Sequence, residues 1–342
     1  MSGNKSKKIL IIRFGAIGDV VHSSIIQKAI KEKDSDVQID FMTSKDIMPV
    51  ISRDKNLSKL WCFDMKRKND YFYIFELGLQ IRKEKYDYVF NMQNGLRNIW
   101  LSIHSGAKSF KHTKCKTHAT DKFFQPVTRV YSDIEKPKSL KIYLDENKLA
   151  DIKSRLEQYP RPYFMIAPAG DHDRYRKGRV WPFENWNKLG RLLREKFGGT
   201  VIVVGSRSEK QVHEKFVDIE GAKIFTGELS LDESVHLFSL ADIFISGDSG
   251  PLHIASALDV YTIGLYGSTS PIIFAPYGEK GHTINSKNEC KNCFKKTCKY
   301  LKEGENYTPC MKSITPENVL NYISEVLYNP DNLFSPEMLT YH

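Results

Sequence analysis

Two short glycine-bearing turns hold the residue types best suited to chemistry. Gly15-x-x-Gly18-Asp19 follows the apolar run Ile9 to Ile12 and precedes a segment with helical apolar spacing. Glycines at such a turn let the backbone approach a ligand, and a helix start offers unpaired N–H groups to an anion. The spacing is not the three-glycine dinucleotide fingerprint, and no Walker lysine follows. Asp19 has two readings: a helix-capping residue, or a general base at a strand's carboxyl end, where open α/β sheets place their ligands. Gly247-Asp-Ser-Gly-Pro-Leu-His253 repeats that topology in the second half of the chain. Backbone N–H groups at Ser249 and Gly250 suit a diphosphate, whereas Asp248 would repel one and better fits sugar hydroxyls. His253, one turn further on, is either a ligand or a half-buried packing residue.

Other groups complement these turns. Lys177 and Arg179, with Arg174 and Arg176, form a basic loop that could clamp a phosphate leaving group, or could be a solvated charge run. Glu209, beyond the run Val201 to Val204, could accept hydrogen bonds from a ribose diol or simply face water. Lys66, Arg67, Lys68 and Arg97 lie near Trp61, Phe63, Tyr71 and Trp100, a mixture that suits an acidic amphiphile, a nucleic acid, or no ligand. Cys290-x2-Cys293-x4-Cys298-x11-Cys310 opens with the gap of a zinc-ligand pair, although the later gaps are irregular. It reads as a small structural knot, metal-bound or reduced, rather than a catalytic centre.

These residues need a scaffold, and the hydrophobic pattern supplies one. Continuous apolar runs at Ile9–Ile12, Tyr163–Ile166 and Val201–Val204 fit strands buried on both faces of parallel sheets, and Tyr86–Met92 reads as another inner strand. Helical spacings between them give βαβ alternation and a doubly wound architecture. Patterning is weakest between Ser132 and Pro162, which sets a boundary between domains at 1–150 and 151–330, with a tail at 331–342. The 342 residues are 41% hydrophobic and 27% charged, which excludes global disorder. No apolar run approaches the ~20 residues of a membrane-spanning helix, and the polar start does not resemble a secretory signal, so a cytoplasmic location is expected. Six cysteines in this length are not a disulfide scaffold. The net charge of +10 is scattered over both halves, which weighs against a nucleic-acid module.

Taken in order, several segments resemble glycosyltransferase family 9, the lipopolysaccharide heptosyltransferases. They are Ile11-Ile-Arg-Phe-Gly-Ala-Ile-Gly-Asp19, Trp181-Pro182, Val203-Val-Gly-Ser-Arg-Ser-Glu209, Leu229-Ser-Leu231, Gly247 to His253, Tyr266-Gly-Ser-Thr-Ser-Pro271 and the segment from Cys290 to Cys298. The resemblance implies a GT-B fold, two Rossmann-like doubly wound domains facing a central cleft. It also implies inverting transfer of heptose from ADP-L-glycero-D-manno-heptose to the Kdo or heptose of the lipopolysaccharide inner core. Asp19 would then be the base, with Gly18, Lys66, Arg67 and Arg97 on the acceptor side. Gly170, Lys177, Arg179, Glu209, Leu229, Asp248, Ser249, Gly250 and His253 would hold the donor. No cofactor is required, beyond a possible structural zinc at the cysteines. A lipid acceptor implies peripheral contact with the anionic inner face of the cytoplasmic membrane. Arg179 stands where the family often has lysine, and Ala169-Gly170 replaces hydroxyl residues found in some members. The alternative within the family is a different nucleotide sugar.

Overall fold

The computed structural model describes residues 6–112, 116–168, 178–295, 297–303 and 305–328. Its chain forms two compact units, Met1–Tyr143 and Leu144–His342.

In the first unit, β1 (Lys8–Ile12), β2 (Gln38–Ser44), β3 (Lys59–Phe63), β4 (Tyr88–Asn91) and β5 (Lys108–Lys111) form a parallel sheet ordered β3-β2-β1-β4-β5. β1 is buried from Ile9 onward because helices cover both faces. Those helices are α1 (Ile17–Ser23), α2 (Ile25–Lys33), α3 (Tyr71–Lys83), α4 (Leu96–His104) and α5 (Ala119–Thr128). Leu10, Ile12, Met42, Leu77 and Val89 pack into one core with Phe14 and Phe63, whose rings stack at 3.9 Å. Asp40, buried within β2, accepts from the Tyr86 hydroxyl, which in turn accepts from Trp61 Nε1 at 2.8 Å.

The second unit begins with α6 (Glu146–Leu156), capped by Asp145. The boundary expected at 150 falls inside this helix, which packs on α9 (Leu231–Phe238) of the same unit. Its strands are β6 (Tyr163–Ala167), β7 (Thr200–Val203), β8 (Lys223–Ile224), β9 (Ile243–Gly247), β10 (Tyr261–Tyr266) and β11 (Gly281–Asn285). They form a parallel sheet ordered β11-β10-β9-β6-β7-β8. With β6 counted first, this is the 3-2-1-4-5-6 order of a dinucleotide-binding domain. Helices α7 (Phe183–Phe197), α8 (Lys210–Phe216) and α10 (Gly250–Ala257) complete the unit's main crossovers, and α11 (Pro316–Tyr328), which follows the last strand, packs on α7. Pro182 is the cap before α7 rather than its first residue, and Gly198 closes that helix with φ of 66°. Trp181 and Trp186 meet edge to face at 4.8 Å in the core, and the Trp181 indole donates to Ile314 O at 2.8 Å.

No described helix is long and apolar enough to cross a membrane. The expected tail lies outside the described residues.

Candidate active site

In each sheet the strand order reverses once, between β1 and β4 and between β6 and β9. A crevice opens at the carboxyl ends of strands at such a point. Both glycine-bearing turns fall there.

At the first switch point the ladder continues beyond β1. Arg13 N donates to Met42 O at 2.9 Å, and Met92 N donates to Ile12 O at 3.0 Å. Gln93 Oε1 accepts from Phe14 N at 2.9 Å, which ties the loops after β1 and β4 together. Gly18 and Asp19 lie in the first turn of α1. Asp19 makes no capping bond. Its Oδ2 instead accepts from Arg13 Nη2, while Arg13 Nη1 donates to Met92 O at 2.6 Å. Burial lowers the Arg13 pKa, and Asp19 partly opposes that shift. Arg13 therefore anchors one carboxylate oxygen, and Asp19 Oδ1 has no hydrogen-bond partner among the described residues. Arg13 directly follows the apolar run of β1, and spacing alone gave it no chemical role.

Lys66 and Arg67 follow β3 and Arg97 follows β4, all beyond strand carboxyl ends. Arg97 Nη1 donates to Lys68 O at 2.9 Å, which joins the two loops. Arg67 pairs with Asp70 at 2.7 Å and lies over the Tyr73 ring. Lys66 is exposed, and its backbone N–H donates to Asp64.

In the second unit, Asp248 is the centre of a charged cluster. Its Oδ2 lies 3.8 Å from Arg179 Nη1, and its Oδ1 lies 3.4 Å from His253 Nε2. Burial pushes the Asp248 carboxyl up, but His253, Arg179 and the Thr269 hydroxyl outweigh it and hold the pKa below its ordinary value. Asp248 and His253 are buried, whereas Arg179 is half-exposed at the rim. Ser249 caps α10 by accepting from Leu252 N, and its hydroxyl meets that of Ser246 at 2.9 Å. Gly250 is the first residue of α10, where backbone N–H groups lack intrahelical acceptors.

Glycine is what lets Arg179 reach Asp248. A Cβ on Gly247 would come within 2.6 Å of Arg179 O. Gly178 holds φ of 61° with its carbonyl accepting from Ser268 N at 3.1 Å. The cysteine segment braces that loop, because Asn292 N donates to Gly267 O and Phe294 N to Ser268 O, each at 2.8 Å.

Glu209 and Leu229 follow β7 and β8 at the same sheet end. Glu209 Oε2 accepts from the Ser206 N–H and hydroxyl, both at 2.7 Å, in a capping box. A ribose diol would therefore share that carboxylate. Leu229 is half-buried beside the second capping box, Ser230–Glu233. Gly170 and Lys177, with Arg174 and Arg176, lie outside the described residues.

Cys290, Cys293, Cys298 and Cys310 are free thiols lining one cavity of about 260 Å³. The donor set suits zinc, yet no three described His, Cys, Asp or Glu residues converge in a way that could hold a metal ion. Burial raises the Cys310 pKa, and its thiol lies 3.2 Å from Thr308 Oγ1. The cluster as arranged does not fit the group, and no chemical step is assigned to it.

The family model for Glycosyltransferase family 9 (heptosyltransferase) matches residues 74–303. The chain belongs to glycosyltransferase family 9. It is an enzyme, a glycosyltransferase of the lipopolysaccharide heptosyltransferase family. The chain is 23% identical to the lipopolysaccharide core heptosyltransferase OpsX of Haemophilus influenzae, over 83% of this chain and 85% of that one. Among solved structures, E. coli ADP-heptose lipopolysaccharide heptosyltransferase II superposes with a TM-score of 0.74 at 19% identity, covering 93% and 97% of the two chains. E. coli heptosyltransferase WaaC with ADP gives 0.69 at 17%, covering 93% and 99%. These likenesses establish the GT-B fold expected for the family. Among family 9 features that spacing left without a role, Arg13 and Thr269 stand inside the motifs themselves, and only their hydrogen bonds reveal what they do.

Proposed function

We propose that this family 9 enzyme transfers heptose from ADP-heptose to the inner core of lipopolysaccharide, with inversion. The observation that carries the reading is the cluster of Arg179, Asp248 and His253 beside the start of α10. It combines a cation and helix N–H groups for a diphosphate with a carboxylate for sugar hydroxyls. The carboxylate at the other switch point, Asp19, supplies the base.

In this reading an acceptor hydroxyl oxygen attacks the anomeric carbon in line with the departing diphosphate. Asp19 Oδ1 takes the hydroxyl proton while Arg13 holds Oδ2. The new C–O bond forms as the bond to the β-phosphate oxygen breaks, and ADP leaves with the electron pair. One displacement needs one base and inverts the centre. Arg179, Lys177 and the amides at Ser249 and Gly250 stabilise the leaving charge, and no divalent metal is assigned to the step. Gly170, Glu209 and Leu229 complete the donor site. Gly18, Lys66, Arg67 and Arg97 face the anionic groups of the acceptor, the Kdo or heptose end of a lipid A-linked core. The enzyme works in the cytoplasm at the inner face of the membrane that carries this lipid. The cysteine cluster serves only to brace the loop.

Two measurements test this. Thermal unfolding in EDTA is expected to shift upward with ADP and not with UDP, GDP or CDP; a shift with UDP or GDP instead overturns the heptose assignment. Asp19→Ala is expected to lower turnover at least about a hundredfold with ADP binding retained. Equal loss of both would remove Asp19 from its role as base.

A further inference from the structure

Helices α3 and α4 leave an apolar face in water that the fold does not use. On α3, Tyr71 and Phe72 are 87% and 68% exposed, and Phe75 and Leu79 are exposed as well. At 100° per residue these four occupy one arc of the helix, apart from the side that buries Ile74, Leu77 and Ile81. On α4, Leu96 and Ile103 are 86% and 66% exposed. The two faces are continuous. Trp100 of α4 lies 6.1 Å from Phe75, and a Cβ on Gly78 would come within 2.6 Å of it.

Charge frames this face. Lys66 and Lys68 lie in the turn before α3, and Arg82 and Lys83 follow Leu79 on the same arc at i+3 and i+4. Of the nearby acids, Asp70 is paired with Arg67, and Glu76 stands at the edge of the stripe. A helix with exposed aromatic and leucine side chains between cations matches the chemistry of a bilayer surface, with rings at the acyl boundary and cations at anionic headgroups.

We propose that α3 and α4 form a membrane-docking face that inserts Tyr71, Phe72, Phe75, Leu79 and Leu96 into a leaflet of anionic lipids. This rests on the reading of a lipid-borne acceptor, for which docking would bring the carboxyl end of the first sheet to the headgroup layer.

The test is flotation with vesicles of phosphatidylethanolamine and phosphatidylglycerol, against phosphatidylcholine alone. The native enzyme is expected to float with the anionic vesicles. Phe72→Ser with Leu96→Ser, or Arg82→Glu with Lys83→Glu, is expected to weaken partitioning about tenfold. Transfer to a water-soluble, deacylated acceptor should be unchanged in both variants. Should the apolar pair fail to fold, the charge pair carries the test alone. Failure of the native enzyme to bind anionic vesicles overturns the proposal. So does equal binding by the variants, or a native dimer that the apolar pair converts to monomer, since the face would then belong to a second copy. If the native enzyme floats but uses no heptose donor, docking stands and the transfer reading falls.

Discussion

Arg13 and Asp19 are bound as a unit, so the two side chains should fail differently when changed. Arg13 reaches Met92 O with one nitrogen and the carboxylate with another, a fork geometry that fixes where the second carboxylate oxygen lies. Arg13→Ala removes that constraint and should lower kcat about tenfold to a hundredfold with little change in the KM for donor. Arg13→Lys keeps the charge and should recover part of the loss. If both variants instead raise KM and spare kcat, Arg13 binds substrate and does not position Asp19. In the second unit, Asp248→Ala removes the partner of buried His253 and should cost about 1–3 kcal/mol of stability, together with donor affinity. Urea unfolding with and without ADP separates those two losses. Gly247→Ala acts on Arg179 through the backbone, since the added carbon meets Arg179 O. It should weaken ADP binding about as much as Arg179→Ala does.

The loops that carry these residues are held by smaller contacts. His213 in α8 lies 2.7 Å from Thr226 Oγ1, which ties that helix to the loop after β8, and burial lowers its pKa against the pull of Glu209. His282 in β11 meets the Tyr322 hydroxyl of α11 at 2.9 Å, and its pKa is likewise lowered by burial. Both imidazoles favour the neutral form when folded. Their contribution is present above the unfolded histidine value of about 6.5 and is lost as pH falls from there through the folded values. Stability of the second unit should therefore fall from pH 7 towards pH 5, and His213→Gln should flatten that fall; an unchanged slope would exclude His213 as a source. The same contacts explain what sequence could reveal. Ile9–Ile12, Tyr163–Ile166 and Val201–Val204 announced their strands because burial on both faces leaves continuous apolar runs. The two glycine turns stood out because each breaks such a run before a helix. The role of Arg13 was hidden because Met92 O, which fixes its guanidinium beside Asp19, is near only after the chain folds back. The capping role of Glu209 was hidden because a capping box and a ribose site call for the same residue types.

At the scale of the whole molecule, each unit carries two of the four tryptophans: Trp61 and Trp100 in the first, Trp181 and Trp186 in the second. ADP binds the second unit in the proposed reading and should stabilise it by about 3 kcal/mol at a hundredfold excess over Kd. In a Trp61→Phe, Trp100→Phe variant, fluorescence reports that unit alone and should move to higher temperature with ADP. A variant keeping only Trp61 and Trp100 should move less, and equal movement would mean that the two units unfold together. Both sheets consist of parallel strands only, with no antiparallel pair among the described residues. Every strand pairing must therefore be reached across a crossover, and no hairpin is available as a local nucleus. The central pairing of the second sheet, Ile166 with Ile245, waits until β7, β8 and their helices have emerged from the ribosome. Until then β6 is an apolar strand with an open edge, as β1 is until β4 has emerged, which makes these two intervals periods when the nascent chain needs protection from aggregation.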